Sequence, residues 1–221
     1  MHDSKAGTNE TGTGAAKVIP EMEQVRSFIA IELPDEVKSG LDDLQARLKT
    51  GQPPSMKWVN PNSIHLTLKF LGNVATDQIN GITKVMAAAA RGIVPFPLEV
   101  RKLGVFPNPR RAQVVWVRVG GDLAQLGQLQ QRIESNLVPL GFTPEVRKFI
   151  PHLTLARLRE QATPDERESL GQLIAGTGFT ATPSFTVDAV NLIKSQLTRE
   201  GAIYHQISSV ELEKSLSTAT E

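Results

Sequence analysis

Apolar residues recur along most of the chain either at every second position, as in a half-buried strand, or at intervals of three and four, as in a helix. This pattern predicts strand, helix, strand, helix, strand, in that order and twice over. Strands are predicted at 27–33, 56–59, 64–71, 96–105, 114–119, 146–150, 152–158, 185–193 and 202–212. Helices are predicted to open at Asp35, Thr76, Asp122 and Thr163, residue types that commonly cap a helix N-terminus.

The clearest alternation is His65-Leu66-Thr67-Leu68, which returns unchanged at His152-Leu153-Thr154-Leu155. Alternate side chains of a strand face opposite sides. Each copy therefore presents an imidazole and a hydroxyl on one face and anchors them with two leucines in the core. Two such strands could form one active site.

The two motif histidines, at positions 65 and 152, are 87 residues apart, and the same offset aligns other positions, such as Asp35 with Asp122. We therefore predict two copies of one α+β unit, at about 26–105 and 113–212; coincidence between two common strand–helix patterns is the alternative. Duplicated units commonly pack about a pseudo-two-fold axis. The predicted fold is α+β and bilobal, with two antiparallel-sheet lobes, helices on the outside and the active-site cleft between the lobes.

Composition excludes several classes of function. The chain has 221 residues, and 24 Lys and Arg nearly balance 23 Asp and Glu, which disfavours coating of long nucleic acid by bulk charge. It has no cysteine, so disulfides, thiolate metal sites and cysteine nucleophiles are excluded and a reducing cytoplasm is favoured. No apolar run approaches the length that crosses a membrane.

Both ends of the chain have the composition of tails. Residues 1–24 are rich in Gly, Thr, Ser and Glu and contain no apolar block of the kind found in signal peptides. We expect them to be disordered, and we expect residues 214–221 to fray. The predicted domain is a single bilobal unit spanning 25–213.

Two histidines that face each other can catalyse phosphodiester cleavage. One neutral imidazole accepts a proton from water, and one imidazolium donates a proton to the leaving oxygen, since the histidine pKa lies near the working pH. Threonine hydroxyls on the same face can donate to the phosphate oxygens. A zinc site is the weaker alternative, because each motif supplies one histidine and no carboxylate at strand spacing. A serine hydrolase is disfavoured because no Gly-x-Ser-x-Gly elbow is present.

Further stretches surround the motifs. They are Arg26-Ser27-Phe28-Ile29-Ala30-Ile31-Glu32-Leu33-Pro34, Trp58, HLTLKFLG at 65–72, Arg147 with Phe149-Ile150-Pro151, HLTLAR at 152–157, and Ser195-Gln196-Leu197. Over about residues 26–212 the chain resembles the two-histidine (2H) phosphoesterase superfamily, in its LigT-like branch of RNA 2′,3′-cyclic phosphodiesterases.

The resemblance implies hydrolysis of the 2′,3′-cyclic phosphate end of an RNA or oligonucleotide to a 2′-phosphate, without a metal. We also expect no cofactor, no membrane partner and a monomer. The resemblance also implies that His65 is the proton donor to the leaving 3′ oxygen and that His152 is the acceptor that activates water; the residues alone leave this assignment open. Two alternatives remain. The same site could catalyse the reverse reaction, as a 2′-5′ RNA ligase that joins a cyclic phosphate end to a 5′-hydroxyl end. The protein could also be a non-catalytic RNA- or nucleotide-binding module.

Other residues are candidate substrate contacts. Alternation places Lys69 on the face of His65 and Thr67. There it could contact a bound phosphate, or it could be a solvated lysine at the end of the strand. Arg157 has the wrong parity to join His152 unless the strand ends or bulges before it. The remaining candidates, which could contact an RNA backbone or stack on a base, are Arg147, Phe149 and Trp58. His205 has no threonine two residues later, and we expect it to be a bystander.

Overall fold

The computed structural model describes residues 23–179, 184–198 and 201–213, which contain nine strands and four helices. The strands are β1 (Gln24–Glu32), β2 (Met56–Trp58), β3 (His65–Ala75), β4 (Phe96–Phe106), β5 (Val114–Gly121), β6 (His152–Leu158), β7 (Phe185–Val187), β8 (Ala189–Leu197) and β9 (Ala202–Glu211). The helices are α1 (Asp35–Thr50), α2 (Ile79–Ala90), α3 (Leu123–Leu137) and α4 (Pro164–Gly176). None of these helices is long and apolar enough to cross a membrane.

The strands form two antiparallel sheets, and each sheet combines strands from both halves of the sequence. The order is β3-β1-β8-β9 in the first sheet and β2-β6-β5-β4-β7 in the second. Strand β4 of the first half pairs with β5 of the second half, while β8 of the second half pairs with β1 of the first. The two-lobed α+β fold is confirmed, and the sequence repeats exchange strands between the two sheets.

The 87-residue offset is visible in the positions of the elements. The first residues of β3 and β6 are His65 and His152. Adding 87 to the bounds of α1 gives 122–137, and α3 spans Leu123–Leu137. The capping prediction at Thr163 is confirmed, since its hydroxyl accepts from Glu166 N and the Glu166 carboxylate accepts from Thr163 N. The predicted strand 185–193 is instead β7 and the first part of β8, with Asp188 between them.

All four motif leucines are buried. Leu66 and Leu153 have no exposed surface, and they belong to one hydrophobic cluster that includes residues of both sheets and all four helices. The expectation that the motif leucines anchor their strands in a core is therefore confirmed.

Both motif strands carry a β-bulge at the fourth motif residue. In the first sheet Thr67 lies opposite Ala30 while Lys69 lies opposite Ile29, so that Leu68 is the extra residue. In the second sheet the register shifts in the same way across Leu155. A bulge reverses the alternation of faces beyond it, so the residues after Leu68 and Leu155 face the opposite way from the simple prediction.

Strand β3 also runs further than predicted. Gly72 does not end it, because a second bulge there is accommodated by a backbone φ of 74°, which glycine adopts without strain. The strand continues to Ala75 beside β1, which itself begins at Gln24, and the carbonyl of Glu23 accepts from Thr76 N at 3.0 Å. The predicted tail 1–24 therefore extends too far; residues 1–22 and 214–221 lie outside the described residues.

The predicted strand 146–150 is absent from the described structure, where residues 142–151 have no regular secondary structure. In the first half, β2 pairs with β6, with Lys57 opposite Arg157, and the 87-residue offset makes 143–145 the positions equivalent to β2. The position 87 residues after Lys57 is Pro144, which has no N–H to donate to a strand ladder. Among the described residues, therefore, no short strand covers the edge of β3 in the way that β2 covers the edge of β6.

Candidate active site

Each motif histidine is held by a backbone carbonyl two residues before it. Nδ1 of His65 lies 2.9 Å from Ser63 O, and Nδ1 of His152 lies 2.7 Å from Ile150 O. A carbonyl oxygen only accepts hydrogen bonds, so Nδ1 carries a proton in both rings. Nε2 is then the ring atom that gains or loses a proton during a reaction.

Aromatic rings fix the orientation of both imidazoles. The ring of Phe28 stacks on His65 with centroids 4.5 Å apart, and Tyr204 meets His65 edge-on at 5.0 Å. Around His152 the rings of Phe106 and Trp116 lie edge-on at 5.1 and 6.2 Å. These contacts restrict rotation of the imidazoles and exclude water from one side of each ring.

The environment of His65 favours its neutral form. Burial lowers the pKa of His65 from the ordinary 6.5 to about 4; the hydrogen bond to Ser63 O opposes this change, and the positive charge of Lys38 adds to it. Burial has this effect because it disfavours the imidazolium more than the neutral ring. In the free protein His65 is therefore neutral at pH 7.

The motif threonines lie beside the histidines on the same strand faces. Thr67 is opposite Ala30 and Thr154 is opposite Trp116, and both threonines are half-buried. Within the described part of the chain neither hydroxyl has a hydrogen-bond partner. Both hydroxyls can therefore donate to a bound anion.

The two bulges bring a sixth residue of each motif stretch onto the site face. Phe70 lies opposite Phe28, the residue that stacks on His65, and its side chain is 69% exposed. Arg157 lies opposite Val114, on the face shared by Trp116 and Thr154, and it is exposed. One half of the site thus gains an aromatic surface and the other half gains a guanidinium.

The two halves of the site are adjacent in space. Strands β3 and β6 contact each other. Burial raises the pKa of the Tyr204 hydroxyl, and the positive charges of Arg157 and Arg26 act against this change. Arg157 of the second sheet is therefore within electrostatic reach of Tyr204, whose ring packs against His65 in the first sheet.

A family model described as LigT like Phosphoesterase matches residues 31–116 and 121–204, which include both motifs. The chain belongs to the LigT-like phosphoesterase family.

Relatives and solved structures agree with this family. The RNA 2′,3′-cyclic phosphodiesterase of Methanothermobacter thermautotrophicus is 35% identical over 181 residues, which are 82% of this chain and 95% of that protein. The enzyme of the same name from Aeropyrum pernix is 36% identical, over 73% of this chain and 88% of that protein. The crystal structures of TT0787 of Thermus thermophilus and of E. coli LigT complexed with 3′-AMP superpose with TM-scores of 0.69 and 0.68. Both are 24% identical, cover 86% and 87% of this chain and 99% and 100% of their own, and share the fold.

Within this LigT-like chain the expected position of Lys69 is wrong. The bulge at Leu68 turns Lys69 away from His65 and Thr67, so that its side chain is only 8% exposed and pairs with Glu134 at 2.7 Å. Phe70 takes the place on the site face that strict alternation assigns to Lys69. The signal that could have found Phe70 is the repeat itself, since it occupies the position equivalent to Arg157.

The other sequence-predicted contacts differ in their surroundings. Arg157 lies on the face of His152 and Thr154, because the strand bulges at Leu155, before Arg157. Trp58 and Phe149 are half-buried and pack against the hydrophobic core, and Lys49 Nζ lies 5.2 Å from the Trp58 ring. Arg147 is 90% exposed and pairs with Glu145. The structure brings none of these last three into contact with a motif histidine.

The described residues also limit where a metal could bind. Among them no group of three or more His, Cys, Asp or Glu side chains lies close enough together to hold a metal ion. The two motif strands and their neighbours present two imidazoles, two hydroxyls and a guanidinium, and the two strands contact each other. This set suits proton transfer at an anionic substrate.

Proposed function

We propose that the protein hydrolyses 2′,3′-cyclic phosphate ends of RNA to 2′-phosphates by acid–base catalysis with His65 and His152. The observation that carries the proposal is the matched presentation of the two imidazoles. Each Nδ1 is engaged by a carbonyl, so each Nε2 is reserved for proton transfer. The membership in the LigT-like family supports the same reaction, since the curated relatives bear this name.

In the proposed reaction a water oxygen attacks the phosphorus and the bond from phosphorus to the 3′ oxygen breaks. His152 Nε2 takes the proton of the attacking water, and His65 Nε2 gives a proton to the 3′ oxygen. Thr67 and Thr154 donate hydrogen bonds to the non-bridging oxygens. Arg157 contributes its positive charge, which stabilises the phosphate as negative charge develops on it.

The low pKa of His65 places a condition on this assignment. A donor must carry its proton when the substrate is bound, and His65 is neutral at pH 7 in the free protein. The negative charge of a phosphodiester next to the ring favours the imidazolium. Substrate binding is therefore expected to raise the pKa of His65 and so supply the proton donor.

Phe70 extends the proposal to the nucleotide. Its ring is exposed on the site face next to Phe28, as expected of an aromatic side chain on which a base stacks. A groove of about 450 Å³ adjoins it at the edge of β3 that no described strand covers, and Lys69, Asn73 and Thr143 are among the residues that line it. An RNA end thus has room for its base beside the phosphate site.

Two further properties stay predictions. The absence of cysteine favours the cytoplasm as the working compartment, and each chain is expected to act as a monomer, because both motifs come from one chain. Size-exclusion chromatography with light scattering tests the second.

The deciding experiment is hydrolysis of adenosine 2′,3′-cyclic phosphate and of a short RNA with a cyclic phosphate end, both in excess EDTA. We expect turnover to survive chelation and to yield the 2′-phosphate. His65→Ala and His152→Ala should each lower kcat by about 10²- to 10⁴-fold. His205→Ala is the matched control, because His205 is exposed on β9 and outside the motifs, and it should keep full activity.

Three results would contradict the proposal. Turnover that EDTA abolishes would indicate a metal site. A 3′-phosphate product would indicate that the bond from phosphorus to the 2′ oxygen breaks instead. Equal activity of His65→Ala and the wild type would show that His65 does not act as a catalytic acid. Adding an RNA with a 5′-hydroxyl end to the same assay tests for ligation.

A further inference from the structure

The segment that leads into His152 has few structural supports. We call residues 143–151 the lead segment. Residues 143–148 are exposed, and the lead segment contains no strand or helix. Its far end carries Ile150 O, the acceptor that holds Nδ1 of His152, and Pro151 O, which accepts from Val119 N at 3.2 Å. The position of the His152 ring therefore depends on what fixes this segment.

The beginning of the lead segment is held by a buried ion pair that includes a residue of the other motif strand. Lys69 Nζ donates to Glu134 Oε2 at 2.7 Å and to Thr143 O at 2.8 Å. Glu134 also accepts from Glu145 N at 3.3 Å and from Gln130 Nε2 at 3.2 Å. The Lys69 and Glu134 side chains are only 8% and 14% exposed.

An equivalent polar contact lies in the other half of the molecule. Gln45 of α1 is 1% exposed, and its Nε2 donates to Val59 O at 2.8 Å and to Leu155 O at 3.1 Å. Leu155 is the bulge residue of the second motif strand, and Val59 lies in the segment that leads into His65. In both halves, therefore, a buried side chain on a helix joins one motif strand to the segment that leads into the other histidine.

The two halves differ in how the segment before each motif histidine is held. The segment before His65 is also paired with β6 through β2 and through Val59 N, which donates to Leu155 O at 2.9 Å. The lead segment has Pro144 at the corresponding place and forms no strand. In the second half the ion pair takes the place of the missing backbone ladder.

We propose that Lys69 and Glu134 are positioning residues that fix His152 relative to His65, with Gln45 as their counterpart in the other half. The proposal rests on the proposed function, in which the two imidazoles act on one phosphate. Neither residue takes part in proton transfer or donates to the phosphate in the proposed reaction, although Lys69 also lines the groove beside Phe70. Their effect passes through the lead segment to Ile150 O, and a displacement of about 1 Å at a catalytic group can cost about 100-fold in rate.

The test uses Lys69→Met, Glu134→Gln and the double variant in the full chain. Removing one partner leaves the other charge buried and unpaired, whereas the double variant leaves neither. We expect each single variant to lower kcat/KM about 10- to 100-fold, mostly through kcat, with KM within about threefold of the wild type. The double variant should be no worse than either single variant, because all three lose the same contact.

Glu99→Gln is the matched control. Glu99 also pairs with a cation, Arg101, at 2.6 Å on β4, but that ion pair is exposed and remote from the lead segment in sequence. It should leave kcat/KM unchanged. Urea unfolding of every variant identifies the conditions in which that variant is folded, and rates are compared only under those conditions. If a single variant does not fold, the double variant is assayed instead.

A second readout does not depend on turnover. The Nδ1 proton of His152, hydrogen-bonded to Ile150 O, is followed by NMR and assigned by its loss in His152→Ala. Its resonance should shift or exchange faster in Lys69→Met and stay unchanged in Glu99→Gln. If the wild type does not hydrolyse cyclic phosphates, the proposed function fails, while this signal still tests the positioning.

The result that would overturn the positioning role is a folded Lys69→Met or double variant with wild-type kcat/KM and an unchanged His152 signal. Lower resistance to urea with unchanged kcat/KM per folded molecule would also overturn it, because the ion pair would then serve stability alone.

Discussion

The lowered pKa of His65 makes the stability of this protein depend on pH in a defined window. Burial lowers the pKa of His65 to about 4 in the folded protein, whereas the ordinary value of 6.5 applies to the unfolded chain. Between these values the unfolded state binds more protons, so acid favours unfolding. The contribution of neutral His65 to the free energy of unfolding is fully present above about pH 6.5. It decreases as the pH falls below that value and is lost once the pH has fallen through about 4. A shift of this size corresponds to roughly 3 kcal/mol.

Urea unfolding of the wild type and His65→Asn at several pH values from 7.5 to 4 measures this contribution. The asparagine variant loses the stacking on Phe28 at every pH, so only the change in the stability difference with pH is informative. We expect that difference to shift by about 3 kcal/mol in favour of the variant between pH 7 and pH 4. His205→Asn should show no comparable change, because His205 is exposed. A difference that stays constant with pH would refute the burial effect.

The same residue tests the direction of proton transfer. Titration of His65 by NMR with and without adenosine 2′-monophosphate, the expected product, reports how a bound phosphate alters its pKa. We expect the pKa to rise from about 4, because the phosphate charge favours the imidazolium. A pKa that stays near 4 with the product bound would contradict the donor role of His65 and favour the opposite assignment of the two histidines.

Four further predictions concern single side chains. Phe70→Ala should raise KM for RNA ends by about 10- to 100-fold through lost stacking, with Phe70→Tyr close to the wild type in the same assay. Arg157→Met should lower kcat/KM about 100-fold, and retained activity would exclude a phosphate contact. Gly104→Ala places a Cβ 2.5 Å from Trp116 Cζ2, so we expect urea unfolding to detect a loss of about 1–3 kcal/mol and steady-state assays a reduced kcat. Thr163→Ala removes the cap of α4 and should cost about 1 kcal/mol by the same unfolding measurement, with kcat/KM unchanged.

The sequence predicts those features that depend on local periodicity. Alternation places His65 and Thr67 on one face and their leucines in the core, and the 87-residue offset matches the start of β6 to the start of β3. These predictions succeed because each rests on residues adjacent in sequence, or on a repeat that the sequence itself displays.

The errors arise where distant residues decide the outcome. The sequence around Leu68 continues its alternation without interruption, so nothing local indicates the bulge that turns Lys69 inward. Its partner Glu134 lies 65 residues away on α3, and no spacing rule connects the two. The predicted strand 146–150 is absent from the described structure, and Pro144 is a local sign that the equivalent of β2 at 143–145 does not form either. Which strand such a segment would join depends on the exchange of strands between the sheets.

The paired bulges explain how a duplicated frame can serve a substrate that is not symmetric. A cyclic phosphate end has a base on one side and a charged phosphate on the other, while the two motifs supply the same imidazole, hydroxyl and bulge. Beyond each bulge the chain places one more residue on the site face, and there the copies differ, with Phe70 in one and Arg157 in the other. An aromatic ring suits the base and a guanidinium suits the phosphate. In the proposed reaction the repeated histidines provide the acid–base pair, and Phe70 and Arg157 give the substrate its orientation.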